Sequence, residues 1–153
     1  MAEGDRTEEG EEWSTICQVY APTADSSEEE LDNFYSQLQL AVDGTPTGDM
    51  LIVMGDFNAK VGQQWEDGEG MVGKFGMGDR NGRGDKLVAF CTINGLYISN
   101  TLFKQTKANR IWTWESPGGR THNQIDYILV NRKGRQSLGN SRAFPSVDIG
   151  PDH

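Results

Sequence analysis

The run Leu51-Ile52-Val53-Met54, followed at once by Gly55-Asp56-Phe57-Asn58, constrains this chain more than any other feature. Turn formers crowd both sides of it, from Asp43-Gly44 to Gly48 upstream and at Gly55-Asp56 downstream. A helix of ordinary length does not fit between such breakers, and the run shows no polar alternation. A strand buried on both faces satisfies both conditions. Such a strand needs covering layers, and the rest of the sequence offers them.

Thr15 to Tyr20 reads as another strand, of mixed alternation and ended by Pro22. A helix follows, capped by Ser26 or Ser27 with Glu29 or Glu30 as the capping-box partner. Leu31, Phe34, Tyr35, Leu38 and Val42 give that helix one apolar face. Residues 62–84 are glycine-rich and aperiodic, which predicts a long surface loop of functional or disordered type. Asp85 is then expected to cap a short helix through Leu87, Phe90 and Cys91, closed by Asn94-Gly95. Leu96 to Asn100 is expected as a strand. Arg110 to Glu115 and Gln124 to Val130 are expected as two more, forming a hairpin around Ser116-Pro117-Gly118-Gly119. Residues 131–153 are polar and turn-rich. Strands alternating with helices give an α/β class, and the hairpin makes the sheet mixed.

The chain has 153 residues, enough for one domain with a real core. Residues 1–12 are acidic and aperiodic and read as a disordered tail, leaving 13–153 as the ordered unit. The net charge of -9 argues against tight nucleic-acid binding, because that affinity comes mostly from Lys and Arg neutralising phosphates. The acidic excess is local, however. It lies in Glu3 to Glu12 and in Asp25 with Glu28, Glu29 and Glu30, whereas Arg80, Arg83, Lys86, Lys104, Lys107, Arg110 and Arg120 follow later. DNA is therefore a weakened partner and a protein partner an alternative. The two cysteines, Cys17 and Cys91, sit in apolar segments and read as reduced core thiols. No apolar run reaches membrane-spanning length and no signal peptide opens the chain, so the expectation is an intracellular protein of nucleus or cytoplasm, with no membrane partner.

Several residues carry candidate chemistry. Asp56 and Asn58 lie two apart just past the end of the buried strand, where sites gather in α/β folds. The carboxylate can activate a water and the amide can donate to a phosphate oxygen, although Gly-Asp and Asn also simply make turns. Asp126 stands within an apolar strand, sharing a face with Gln124 and Ile128 while Ile125, Tyr127 and Leu129 share the other. A carboxylate there needs a partner, a histidine or an arginine, and a structural ion pair is the plain alternative. Asp152 and His153 close the sequence and could join metal binding to proton transfer, or be a frayed end. His122 reads as a surface histidine. Trp112 and Trp114 read as packing residues rather than base-stacking ones.

Taken in order, Val19-Tyr20-Ala21-Pro22, Gly55-Asp56-Phe57-Asn58-Ala59, Thr113-Trp114, Gln124-Ile125-Asp126-Tyr127 and Asp152-His153 resemble the endonuclease/exonuclease/phosphatase (DNase-I-like) family. Within it, Ile16 to His153 is similar to the endonuclease domains of non-LTR retrotransposons. The resemblance implies a four-layer α/β sandwich, with helices outside two packed mixed sheets, and Mg²⁺-dependent (or Mn²⁺-dependent) phosphodiester hydrolysis. It assigns water activation to Asp56, a hydrogen bond to the scissile phosphate to Asn58, and a place against the phosphate to Tyr20. Asp126 would orient His153, which would stabilise developing charge, and Asp152 would join the metal site. The family's Asn and metal-binding Glu motifs, which precede the tyrosine motif, have no counterpart here. The resemblance thus implies the C-terminal portion of such a domain, with its N-terminal part missing. Pro151 stands where the family carries a serine. Three activities follow as expectations: an endonuclease-type domain acting on DNA, a non-catalytic interaction protein derived from one, and a small phosphoester hydrolase of the same fold.

Overall fold

The computed structural model describes residues 3–9, 12–63, 70–103, 114–115, 122–123 and 126–140. Its centre is the predicted strand, β3 (Met50–Asp56), in a five-stranded mixed sheet. On one side β3 pairs in parallel with β2 (Glu12–Tyr20), and on the other it pairs antiparallel with β7 (Asp126–Val130). The short β4 (Tyr97–Ile98) closes the far edge against β7. At the near edge, β1 (Glu3–Glu9) pairs antiparallel with β2.

Strand β1 departs from the disordered tail that composition suggests. Ladder hydrogen bonds come from backbone groups, so an acidic strand without an apolar face can still pair along an open edge. That signal is invisible to any reading of side-chain periodicity.

Two helices cover one face of the sheet. Helix α1 (Glu28–Asp43) makes the crossover between the parallel strands β2 and β3, as parallel pairing requires. Ser27 caps it, its side chain accepting from Glu30 N at 3.1 Å, and Glu28, Glu29 and Glu30 place negative charge at the positive end of the macrodipole. Leu31, Phe34, Tyr35 and Leu38 are buried as the spacing predicts. Helix α2 (Gly82–Asn94) begins earlier than expected. Its cap is Asn81, whose side chain accepts from Gly84 N, and Asp85 lies in the first turn instead of at the cap. Asn and Asp are near-equal caps, so the spacing alone did not separate them. Gly95 ends α2 with a left-handed φ of 66°.

The core lies between these helices and the sheet. Cys17, Val19, Leu51, Val53, Tyr127 and Leu129 meet Leu31, Phe34 and Leu38 from α1 and Leu87, Phe90 and Cys91 from α2. The two thiols are free and buried, and burial pushes both pKa values up. On the opposite face, Ile128, Val130 and Leu138 form a smaller cluster, with Ile52, Met54, Tyr97 and Phe103 packed against it. So β3 is fully buried on one face and half-buried on the other.

Leu138 comes from α3 (Arg132–Asn140), a helix in the stretch that reads as turn-rich. Asn131 starts it, its Oδ1 accepting from Gly134 N at 3.0 Å. The predicted strand over Leu96–Asn100 contracts to β4 followed by a 3-10 turn, Ser99–Thr101. The expected hairpin of Arg110–Glu115 with Gln124–Val130 is not what forms: β7 pairs with β3 and β4 in the main sheet, while β5 (Trp114–Glu115) pairs with β6 (His122–Asn123) in a separate two-stranded sheet. Of the expected strand Gln124–Val130, Asp126–Val130 is β7, and residues 124–125 lie outside the described residues. Among the described residues, no helix is long and apolar enough to cross a membrane.

Candidate active site at the end of the central strands

Register brings the candidate residues together. Tyr20 on β2 is paired with Asp56 on β3, and Asp56 with Asp126 on β7. Residues opposed across a ladder present their side chains to the same face. Three adjacent strands therefore place Tyr20, Asp56 and Asp126 side by side, on the face away from α1 and α2. Their exposure differs: Tyr20 is 59% exposed, Asp56 9% and Asp126 1%. An accessible phenol thus borders two nearly buried carboxylates.

The close approach of β2 and β3 depends on Gly55. A Cβ there would lie 1.9 Å from the Val19 carbonyl oxygen, and its φ is 147°. Only glycine lets β2 run flush against β3 immediately before Asp56. Beyond Asp56 the chain turns sharply. Asn58 adopts a left-handed φ of 45°, and its backbone N–H donates to Asp56 Oδ1 at 2.8 Å. Its side-chain Nδ2 donates to the Ala21 carbonyl at 3.0 Å, and Ala21 N donates to the Asp56 carbonyl at 2.8 Å. The turn reading and the site reading of Asp56-Phe57-Asn58 are thus one geometry: an Asx-type turn that fixes the carboxylate and the amide together. An Nδ2 group carries two N–H bonds, so one donated to Ala21 leaves the second for another acceptor.

Neighbouring residues hold this arrangement. Asn100 in the 3-10 turn accepts from Ile128 N at 2.7 Å and donates to the Asp126 carbonyl at 3.4 Å. Ser99 Oγ donates to the Ile128 carbonyl at 2.7 Å. These side chains serve β7 where β4 has ended, and so fix the strand end that carries Asp126. Arg83 donates to the Pro22 carbonyl at 3.0 Å and to Ser26 Oγ at 2.8 Å, holding the loop between Tyr20 and α1. Asn81 accepts from Lys60 N at 3.1 Å as well as capping α2, which ties the chain after Asn58 to that helix. Sequence reasoning missed Asn81, Arg83, Asn100 and Tyr127. Their roles depend on partners far away along the chain, which no local periodicity signals.

Asp152 and His153 are outside the described residues, as is any pairing of His153 with Asp126. His122 lies in β6. Among the described residues no group of three His, Cys, Asp or Glu converges as a metal site would require.

The family model described as endonuclease-reverse transcriptase matches residues 14–153. The chain belongs to the endonuclease/exonuclease/phosphatase family. It is 45% identical over 139 residues to craniofacial development protein 2 of Bos taurus, and 44% identical over 139 residues to the protein of that name from Tragulus javanicus. Both alignments cover 91% of this chain, but only 23% and 24% of those relatives' lengths. An endonuclease/exonuclease/phosphatase family protein from Leptotrichia buccalis C-1013-b shares the fold, with a TM-score of 0.55 at 14% identity, over 84% of this chain and 40% of that one. The expected α/β, DNase-I-like class therefore holds, and with it a phosphoester hydrolase type of fold. Enzymes of the endonuclease/exonuclease/phosphatase family generally use divalent metals.

Proposed function

We propose that the end of β2, β3 and β7 is a site for Mg²⁺-dependent hydrolysis of phosphodiester bonds in DNA. The observation that carries this reading is the register that sets Tyr20, Asp56 and Asp126 on one face of three adjacent strands, with Asn58 folded back onto Asp56. Family membership supplies the reaction class. The whole activity of relatives four times as long is part of the proposal, since this chain spans 23% of the bovine one.

The donor chemistry suits a hard divalent cation, because carboxylate oxygens from Asp56 and Asp126 face the same side at neighbouring strand positions. Asp152 would join them as a metal ligand, and Mn²⁺ could stand in for Mg²⁺. When bound, the cation would polarise the phosphoryl group and offset its charge. Asp56 takes a proton from the attacking water, held in place by the Asn58 N–H on its Oδ1. The second Nδ2–H of Asn58 donates to a phosphate oxygen. The exposed Tyr20 hydroxyl lies against the phosphate from the β2 side. Asp126, nearly buried, orients His153, whose ring stabilises charge developing on the phosphate.

Nicking of supercoiled plasmid with Mg²⁺ and with EDTA tests this. The expected result is magnesium-dependent nicking that Asp56→Ala and Asp126→Ala each abolish while the fold is kept. Nicking unaffected by either substitution, or no nicking by a folded chain, refutes it. The net charge of -9 favours a second reading, a non-catalytic interaction protein of retrotransposon origin. A folded, inactive chain that captures a defined protein partner would support that alternative.

A further inference from the structure

Tyr127 follows Asp126 in sequence, but its side chain is on the other side of the sheet. It is 0% exposed, among the core residues packed under α1 and α2. No step of the proposed chemistry uses it. A phenol so placed costs stability unless its hydroxyl is satisfied, and a Phe would fill the same space without that demand. The hydroxyl therefore merits a reason.

That hydroxyl accepts a hydrogen bond from Val61 N at 3.0 Å, in a buried contact across 66 positions of the chain. Val61 sits in the loop that leaves β3 after Asn58. Its side chain is fully buried, and its carbonyl accepts from Arg80 Nε at 2.8 Å. Between the two, Phe57 packs its ring 6.4 Å from the Tyr127 ring. The segment Asp56 to Val61 is therefore clasped twice by β7. At its start the ladder pairs Asp56 with Asp126, and at its end the next residue along β7 holds Val61. Asn58 lies between the clasps in a left-handed conformation that needs support from its surroundings. Burial raises the Tyr127 pKa, so the hydroxyl stays neutral throughout the range in which a hydrolase would work.

We propose that Tyr127 is a positioning residue: acting through the Val61 N–H, its hydroxyl fixes the loop so that Asn58 is held beside Asp56 and Asp126. One strand then carries a site carboxylate toward one face and its loop anchor toward the other. This inference rests on the hydrolytic reading of the site, but its geometry can be tested separately. The opposing view is that the Tyr127–Val61 bond only satisfies a buried polar pair.

The test is Tyr127→Phe in the full chain, compared with wild type by amide exchange, by NMR of the Asn58 side-chain amide, and by nicking kinetics. With the fold retained by circular dichroism, Val61 N–H should exchange about tenfold faster, as loss of one hydrogen bond implies. The Asn58 Nδ2 resonances should shift, and kcat should fall by roughly ten- to a hundredfold with KM held within about twofold. Faster exchange at Val61 with Asn58 and kcat unchanged would overturn the proposal, as would unchanged exchange at Val61. If wild type does not nick at all, the hydrolytic reading fails, and the Asn58 resonances still decide the positioning role. Should Tyr127→Phe fail to fold, exchange in the wild-type chain decides instead. A Val61 N–H that exchanges as freely as an exposed loop amide would show that Tyr127 does not hold it, and would overturn the proposal equally.

Discussion

Replacing Gly55 by alanine should damage this protein more than any other single-methyl addition in the sheet. The added Cβ would lie 1.9 Å from the Val19 carbonyl oxygen and 2.9 Å from its carbon, both backbone atoms with no rotamer to retreat into. Those atoms belong to the parallel ladder in which Val19 pairs with Gly55 and Tyr20 with Asp56. Relief requires β2 and β3 to separate by more than an ångström at the point where the site forms. Overpacking costs about 1–3 kcal/mol, and a non-glycine residue at a φ of 147° adds about 1–3 more. The total of roughly 2–6 kcal/mol takes a large part of a typical stability of about 5–15 kcal/mol. Urea denaturation would measure it, with two other glycines as calibrants. Gly95→Ala meets open space but has a left-handed φ of 66°, and should lose only about 1 kcal/mol. Gly82→Ala, in the first turn of α2 with nothing near it, should be neutral or gain about 0.5 kcal/mol. A Gly55→Ala protein with the denaturation midpoint of Gly82→Ala would refute the close-approach argument and the β2–β3 register behind it.

Two further outcomes follow from the same structure. Ser27→Ala removes the acceptor for Glu30 N and should cost about 1 kcal/mol in urea denaturation; an unchanged midpoint would refute the cap. Stability should fall at alkaline pH. Burial raises the pKa of Cys91, Tyr35 and Tyr127 above the ordinary 9.0 for the thiol and 10.0 for the phenols. Below those ordinary values both folded and unfolded chains hold the protons; above them only the folded chain does, so unfolding releases protons and stability declines as pH rises from about 9. Denaturation midpoints at pH 7, 9 and 10.5 check this, and a midpoint flat across that range would contradict the burial of these groups.

Much of the fold was legible because its signals are local. The apolar run ending at Met54 marked the central strand, and the cap and spacing from Ser27 to Leu38 marked α1. Asn94-Gly95 marked the end of α2. Strand β1 and helix α3 were not legible: β1 is held by backbone pairing along an edge, and α3 is short and polar with Leu138 as its buried anchor. The choice between Asn81 and Asp85 as the α2 cap depended on which carbonyl and amide groups the loop from Lys60 brought near.

For the site, the sequence by itself determined which residues have useful chemistry and their order along the chain: Tyr20, Asp56, Asn58, Asp126, Asp152 and His153. It also marked the buried strand before Asp56, since an apolar run between breakers admits little else, although the ladder runs on so that Asp56 is its last residue and not the first beyond it. Only the tertiary structure decided that Tyr20, Asp56 and Asp126 share one face of neighbouring strands, because register joins positions 36 and 70 residues apart and a one-residue slip would send a side chain to the other face. It alone showed Gly55 as the gap that permits the register and Tyr127 as the clasp on the loop after Asn58. Chemistry resides in single side chains and can be read from the sequence, whereas proximity belongs to pairs and exists only once the strands have found each other.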